Sequence, residues 1–167
     1  LQAVLKRQVE ILRQTMDEVA VVSKDIAEPG NPQDKAAKQA ELAKDVFERS
    51  LSNMRELAEM IAKDLPSQVF SVSMSGFDTH SNQARDLPEL LQQAGAALDS
   101  FYRDLAAITT TRGRAQDRVV VMGFSELGRR VQENNGGTDH GTAGLGFLLG
   151  NGVKGGVYSD YPDLAKQ

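Results

Sequence analysis

The spacing of the hydrophobic residues changes at Leu65-Pro66, and this change divides the chain into two parts. Before it, apolar residues recur every three or four positions, which is typical of amphipathic helices. One helix is expected over residues 5–26 and a second over residues 32–64, separated by a break that contains proline and glycine. For residues 1–64 we favour an antiparallel helical hairpin packed on a neighbouring core over a membrane- or partner-binding segment.

After Pro66 the pattern is that of an α/β unit. Residues 69–75 alternate apolar side chains with serines, as a half-covered strand does. Asp86 and Glu89 resemble a capping box, and a wide apolar stripe predicts a helix that runs to Ile108. The continuous apolar run at 118–122 is typical of a buried parallel strand. Strand, helix and strand together predict a right-handed crossover in a mostly parallel sheet. The stripe comprises Leu87, Leu90, Leu91, Ala94, Leu98, Phe101, Leu105 and Ile108.

Glycine dominates the part of the chain that follows. Eleven of the 15 glycines lie between Gly123 and Gly156, so backbone geometry rather than side-chain packing shapes this region. A second apolar run, Leu145 to Leu149, follows without a helical pattern in between. A parallel partner strand normally needs a longer, usually helical, crossover, so we predict that this strand is antiparallel.

The composition excludes several classes of protein. The 167 residues include no cysteine, which rules out disulfide frameworks and cysteine-based zinc sites. With 19 Lys and Arg against 23 Asp and Glu, a net charge of -4 and 5% aromatic residues, the chain is a poor candidate for nucleic-acid binding. No apolar run is long enough to cross a bilayer and no leader is visible. Because the first residue is Leu1, we expect the sequence to be a piece of a longer chain.

Both histidines of the chain lie beside aspartates. Asp78 and His80 follow the first predicted strand, and Asp139 and His140 lie in the glycine-rich region. Ligands of open α/β sheets bind beyond the carboxyl ends of the strands, and an antiparallel strand at 145–149 would bring His140 to the same edge. Imidazole and carboxylate groups are the ligands of metal sites, so these four residues are candidate ligands. The alternative is that each pair only braces its own loop.

A second polar cluster follows the strand at 118–122. Ser125 and Glu126 occupy the position of a catalytic loop, and the two arginines Arg129 and Arg130 could hold a phosphate or sulfate oxyanion. The alternative is that Glu126 and Arg129 form an ordinary surface pair three residues apart. A rival enzyme hypothesis makes Ser125 a nucleophile with His140 as base, but Gly-x-Ser-x-x-Gly is one residue longer than a nucleophile elbow.

Several motifs follow one another along the chain: Gly-Phe-Asp-Thr-His-Ser-Asn-Gln at 76–83, the leucine-rich helix, Arg-Val-Val-Val-Met-Gly-Phe-Ser-Glu-Leu-Gly-Arg-Arg at 118–130, Gly-Gly-Thr-Asp-His-Gly-Thr at 136–142 and Val-Lys-Gly-Gly-Val-Tyr at 153–158. In this order they resemble domain of unknown function family 1501, and we expect the match to extend from about Leu65 to Leu164. The family in turn resembles the alkaline phosphatase and sulfatase superfamily, whose members hold two metals at the carboxyl edge of a mixed sheet. The resemblance implies an α/β fold for residues 65–167: a partial three-layer sandwich with a mostly parallel sheet and one antiparallel strand, next to the N-terminal helical hairpin.

The resemblance also implies roles for individual residues. Asp78 and His80 would be ligands of the first metal, and His140 would complete that site. Where the superfamily has an Asp-His pair this chain has Ser125-Glu126, so that Glu126 alone could bind a second metal. The superfamily's nucleophile and first Asp ligand lie on earlier strands, and nothing before Leu65 resembles them.

These observations together predict part of a metal-dependent hydrolase that acts on a small phosphate or sulfate ester. Asp78, His80, His140 and Asp139 would bind the ion, for which zinc is the first candidate and manganese and calcium are alternatives. Glu126 would act as an acid or an extra ligand, and Arg129 would steady the anion. The resemblance implies a bacterial protein exported by the twin-arginine route to the periplasm or cell surface. The competing interpretation is a non-catalytic exported protein that keeps the fold for binding or assembly.

Overall fold

The computed structural model describes residues 31–64, 68–142 and 144–159, together with Lys6, Arg7, Val9, Glu10, Arg13 and Asp17, which are helical. Two long helices dominate this part of the chain, and the strands are short. The described elements are α1 (Pro32–Ala62), α2 (Gln83–Ala107), β1 (Thr109–Thr110), β2 (Gly113–Arg114), a 3-10 turn (Ala115–Asp117), β3 (Val121–Gly123), β4 (Arg129–Asn134), β5 (Gly137–His140) and β6 (Phe147–Leu149).

The second predicted helix is confirmed, with bounds close to those expected. It begins at Pro32, where a proline costs no hydrogen bond, and ends at Ala62. Most of the first predicted helix, residues 5–26, lies outside the described residues. Arg7 Nε, in the described part of that segment, donates to both carboxylate oxygens of Glu56 on α1 at 2.9 and 3.0 Å. No described helix combines the length and apolarity that a membrane crossing needs.

The helix predicted from Asp86 begins three residues earlier, at Gln83. Asn82 precedes it in the left-handed region, at φ 53°, and its side chain makes no capping hydrogen bond. The Gln83 N–H instead donates to the Gly136 carbonyl at 2.9 Å. A distant turn therefore satisfies a free N–H of the first helical turn, a contact that local sequence patterns cannot show.

All strand pairings among the described residues are antiparallel, so the structure is a mixed α/β fold with small antiparallel sheets. The pairing of β3 with β6 confirms the predicted antiparallel strand. The strand predicted over residues 118–122 begins only at Val121, because Arg118 closes a 3-10 turn by donating its N–H to the Ala115 carbonyl. The strand predicted over 69–75 is wrong: this segment carries no regular secondary structure, because none of the described strands pairs with it.

The core lies between the two helices and the turn that follows them. Leu105 is fully buried, and it clusters with Ala58 of α1, Phe101 of α2 and Ala115 of the 3-10 turn. Most of the predicted stripe of α2 is buried or half-buried, but Leu91 is 57% exposed, and the stripe is therefore narrower than expected. Partly buried side chains surround the cluster: Met54, Leu57, Ile61, Tyr102, Ile108, Val119 and Val121.

Leu105→Ala is expected to lower the free energy of unfolding by about 2–5 kcal/mol, because it leaves a cavity at a fully buried position. Leu91→Ala on the same helix is the matched control, and its exposed side chain predicts a change within about 0.5 kcal/mol. Urea unfolding followed by circular dichroism measures both values. Equal losses in the two variants would contradict the assignment of this core.

Candidate metal centre

Asp78 and His80 lie on a tight turn just before α2. The Thr79 N–H donates to the Phe77 carbonyl at 3.0 Å, and the His80 N–H donates to the Asp78 carbonyl at 3.2 Å. Thr79 is buried between these two exposed residues. Its burial anchors the turn, while the side chains on either side stay accessible to solvent.

His140 is the last residue of a β-hairpin that the sequence analysis missed. Strands β4 and β5 pair antiparallel around Asn135 and Gly136, which both have positive φ, at 55° and 78°. This geometry is that of a type I′ turn, which favours Asn-Gly. The Asn-Gly dipeptide at 135–136 could therefore have predicted the hairpin. It was overlooked because it lies among many other glycines.

The hairpin docks directly against the turn that carries His80. The Thr138 N–H donates to the Thr79 carbonyl at 3.4 Å, and Thr138 Oγ1 donates to Gln83 Oε1 at 2.9 Å. Gly137 makes the close approach possible, since a Cβ atom there would lie 2.2 Å from the His80 carbonyl carbon. Backbone contacts thus determine the distance between the two histidine-bearing segments.

Three side chains converge where the segments meet. Asp78 Oδ1 lies 3.1 Å from His80 Nε2 and 2.8 Å from His140 Nε2, and the two Nε2 atoms are 3.2 Å apart. Ligands bound at about 2.0–2.1 Å to a tetrahedral ion lie about 3.3 Å from one another. The three atoms therefore have the spacing of ligands that share one ion, and among the described residues they form a group of metal-binding type.

The electrostatics of the group favour an ionised Asp78. Partial burial alone would raise the pKa of this carboxyl, but the hydrogen bond with His140 and the charges of His80 and Arg129 outweigh it and hold the pKa below its ordinary value. Roughly half of each side chain is exposed, at 52% for Asp78, 48% for His80 and 55% for His140. If the three side chains held an ion, their exposure would leave a coordination position open to solvent, as in catalytic rather than structural zinc sites.

Asp139, the fourth expected ligand, lies on the other side of the His80 ring. Its Oδ1 atom is 3.8 Å from His80 Nδ1, and its Oδ2 atom accepts a hydrogen bond of 3.1 Å from Asn134 Nδ2. The structure therefore brings together three of the four predicted ligands. The 3.8 Å separation is longer than a hydrogen bond, so Asp139 is a neighbour of the His80 ring and not a hydrogen-bond partner.

Three residues were predicted to act on the substrate. Ser125 and Glu126 lie in the loop between β3 and β4, and Arg129 is the first residue of β4. Glu126 is exposed and is not part of the three-residue group. Ser125 Oγ accepts a hydrogen bond from the Leu127 N–H at 3.0 Å, and His140 Nε2 contacts Asp78 and His80. These contacts do not favour the Ser125–His140 pair of the serine-hydrolase hypothesis.

Arg129 lies beside the three-residue group rather than at its open face. Its guanidinium donates to the Thr138 and Phe77 carbonyls at 2.7 and 2.8 Å and to Asp78 Oδ1 at 2.9 Å. The guanidinium therefore joins the turn, the hairpin and the candidate ligand Asp78.

Comparison with known proteins adds one finding. The profile of the family described as "Protein of unknown function (DUF1501)" matches residues 8–167. The match begins well before Leu65, where the sequence analysis expected it to start, and thus takes in the helical segment. None of the curated proteins and none of the solved structures matches the chain.

Proposed function

Because this chain belongs to the DUF1501 family of proteins of unknown function, its site is the main guide to its activity, and we propose that it binds a divalent metal ion and hydrolyses phosphate or sulfate esters. One observation carries the proposal: Asp78 Oδ1, His80 Nε2 and His140 Nε2 come from segments 60 or more residues apart and lie within 4.8 Å of one another. Two imidazoles that face each other across a carboxylate oxygen are better explained by a shared ion than by loop bracing.

The set of donor atoms supports zinc as the ion, with manganese and calcium as alternatives. Two imidazole nitrogens and one carboxylate oxygen are ligands that zinc commonly takes in catalytic sites, whereas calcium prefers oxygen ligands alone.

The proposed ester hydrolysis requires that the ion keep a coordination position free for substrate or water. A bound divalent cation supplies a Lewis acid, which polarises the oxygen of an ester or lowers the pKa of a bound water. Asp78, His80 and His140 hold it at a surface that a small anionic ester can reach. Glu126, exposed on the neighbouring loop, is the residue we assign as an acid.

The resemblance to the alkaline phosphatase and sulfatase superfamily supports this reaction class and implies finer features that we include in the proposal. These are export to the periplasm or cell surface and a larger three-layer fold in which this chain is the C-terminal part. The exposed apolar residues of the small β3–β6 sheet, such as Met122 at 65% and Leu148 at 54%, support further strands or layers around it.

Metal analysis with a paired substitution tests the proposal. The purified chain is dialysed against zinc, manganese or calcium, its bound metal is counted by mass spectrometry, and hydrolysis of 4-nitrophenyl phosphate and 4-nitrophenyl sulfate is followed. We expect one ion per chain and metal-dependent hydrolysis in the wild type, and loss of both in Asp78→Asn, which keeps the shape but removes the charged ligand.

Asp99→Asn is the matched control because it removes an exposed carboxylate of α2 that forms a surface ion pair with Arg103. It is expected to keep the metal and the activity. A wild-type chain that binds no ion would overturn the proposal. Stoichiometric metal without ester hydrolysis would instead support the non-catalytic binding protein.

A further inference from the structure

The guanidinium of Arg129 makes the densest set of polar contacts in the site. Nη1 donates to the Thr138 carbonyl at 2.7 Å, and Nη2 donates both to the Phe77 carbonyl at 2.8 Å and to Asp78 Oδ1 at 2.9 Å. The side chain is only 17% exposed, although Asp78 is 52% exposed. The largely buried guanidinium of Arg129 therefore forms an ion pair with the accessible carboxylate of Asp78.

The two carbonyl acceptors belong to different segments of the chain. Phe77 precedes Asp78 on the turn, and Thr138 lies on β5, two residues before His140. Because a guanidinium is planar and rigid, two main-chain acceptors on opposite segments determine the direction of its remaining N–H groups. The N–H that reaches Asp78 is thus aimed by the backbone of both segments that carry the histidines.

These contacts differ from the role that the sequence suggested for Arg129. The N–H groups expected to hold a substrate anion contact main-chain carbonyls and a candidate ligand instead. A lysine could not reproduce the arrangement, because its single ammonium cannot present donors from two nitrogens in a fixed plane.

We propose that Arg129 is a positioning residue, which aims the Asp78 carboxylate at the point between His80 Nε2 and His140 Nε2 and thereby sets the affinity of the site for its ion. This inference rests on the proposed function, since it assumes that the three residues bind a metal. It adds to that proposal that the geometry of the site depends on the Arg129 guanidinium.

Arg129→Lys tests the inference, with Arg130→Lys as the matched control. Arg130 is the next residue of β4 and is exposed, so the control removes a guanidinium from the same strand without touching the site. Zinc affinity is measured by competition with a chromophoric chelator, and the thermal unfolding midpoint is measured without metal. We expect zinc binding about 10- to 100-fold weaker in Arg129→Lys, the size of effect typical of residues that orient metal ligands, with affinity unchanged in Arg130→Lys.

The readouts separate the possible failures. If the zinc affinity of Arg129→Lys stays within about two-fold of the wild type, the inference is overturned and the proposed function still stands. Such a change is well below the effect typical of residues that orient metal ligands. If Arg129→Lys folds only when zinc is present, the zinc concentration at half refolding supplies the affinity. If it fails to fold even with zinc, Arg129 is a folding determinant and the positioning role is overturned.

A wild-type chain that binds none of zinc, manganese and calcium would end the proposed function. The orientation of Asp78 is then tested in the metal-free protein. Nitrogen-15 NMR of the two histidine rings reports the surroundings of each Nε2. If Arg129 aims Asp78, the Nε2 resonances of His80 and His140 shift in Arg129→Lys and stay in place in Arg130→Lys. Unchanged resonances in Arg129→Lys would overturn the role.

Discussion

Gly137→Ala is expected to abolish stoichiometric metal binding, although Gly137 carries no side chain and is not a ligand. A Cβ atom at this position would lie 2.2 Å from the His80 carbonyl carbon, 2.4 Å from its oxygen and 2.5 Å from the Thr79 oxygen. All three contacts are to main-chain atoms, so no flexible side chain can move aside.

The strand β5 and the turn at 77–80 would have to separate by about 1 Å or more to reach ordinary contact. His140 lies on that strand, three residues after Gly137, whereas Asp78 and His80 lie on the turn. A metal site loses its function when its ligands move by more than about 0.5 Å. The substitution should therefore separate His140 from the other two ligands, and the overpacking should cost about 1–3 kcal/mol of stability.

Gly152→Ala is the control for this prediction. It lies in the same glycine-rich region, but an added Cβ atom would meet nothing within 4 Å. Metal content by mass spectrometry and the urea midpoint of unfolding are measured for both variants. A Gly137→Ala chain that binds metal as the wild type does would show that the hairpin and the turn are not held by this contact.

His140→Ala is expected to weaken zinc binding by about 10²- to 10⁴-fold, if a binding free energy of roughly 10–16 kcal/mol, as in zinc-finger peptides, is shared among three protein ligands. The loss is large because His140 Nε2 is one of only three ligand atoms in the group. It also removes the 2.8 Å contact with Asp78 Oδ1, so Asp78 is held less well even in the metal-free chain.

Thr142→Ala is the control for this variant because Thr142 is exposed, lies two residues beyond His140 and has no role in the site. Competition with a chromophoric chelator measures the zinc affinity of both variants against the wild type. Zinc affinity that survives in His140→Ala would show that the ion is held elsewhere and that the two histidines meet for another reason.

The helices and the pairing of the two histidines were accessible from the sequence. The helical spacing of apolar residues predicted both α1 and α2, and the glycine-rich connection predicted that β6 is antiparallel to β3. The repeated placement of histidine beside aspartate, together with the expected sheet edge, predicted that His80 and His140 meet. The predictions of the helices and of β6 rest on a periodicity and a connection length, which a sequence records directly. The meeting of the histidines was predicted from a strand at 69–75 that the structure does not contain, and the docking of the β4–β5 hairpin produces it instead.

The sequence was less informative about strands and about the details of the site. It predicted a strand at 69–75 because alternation records only which faces of a segment could be covered, whereas a strand also needs a paired neighbour. It assigned Asp139 to the ion and Arg129 to the substrate because the chemistry of a side chain does not reveal its direction. The structure places Asp139 beyond the His80 ring and directs Arg129 toward Phe77, Thr138 and Asp78.

Local patterns therefore determined which segments are helical and which side chains are able to bind an ion. Only the tertiary structure decided how closely those side chains approach one another, because their spacing depends on backbone contacts between segments about 60 residues apart. The close packing of Gly137 against His80 and the hydrogen bonds of Arg129 to two segments are such contacts. They arise from the docking of the hairpin onto the turn, and no spacing along the chain encodes them.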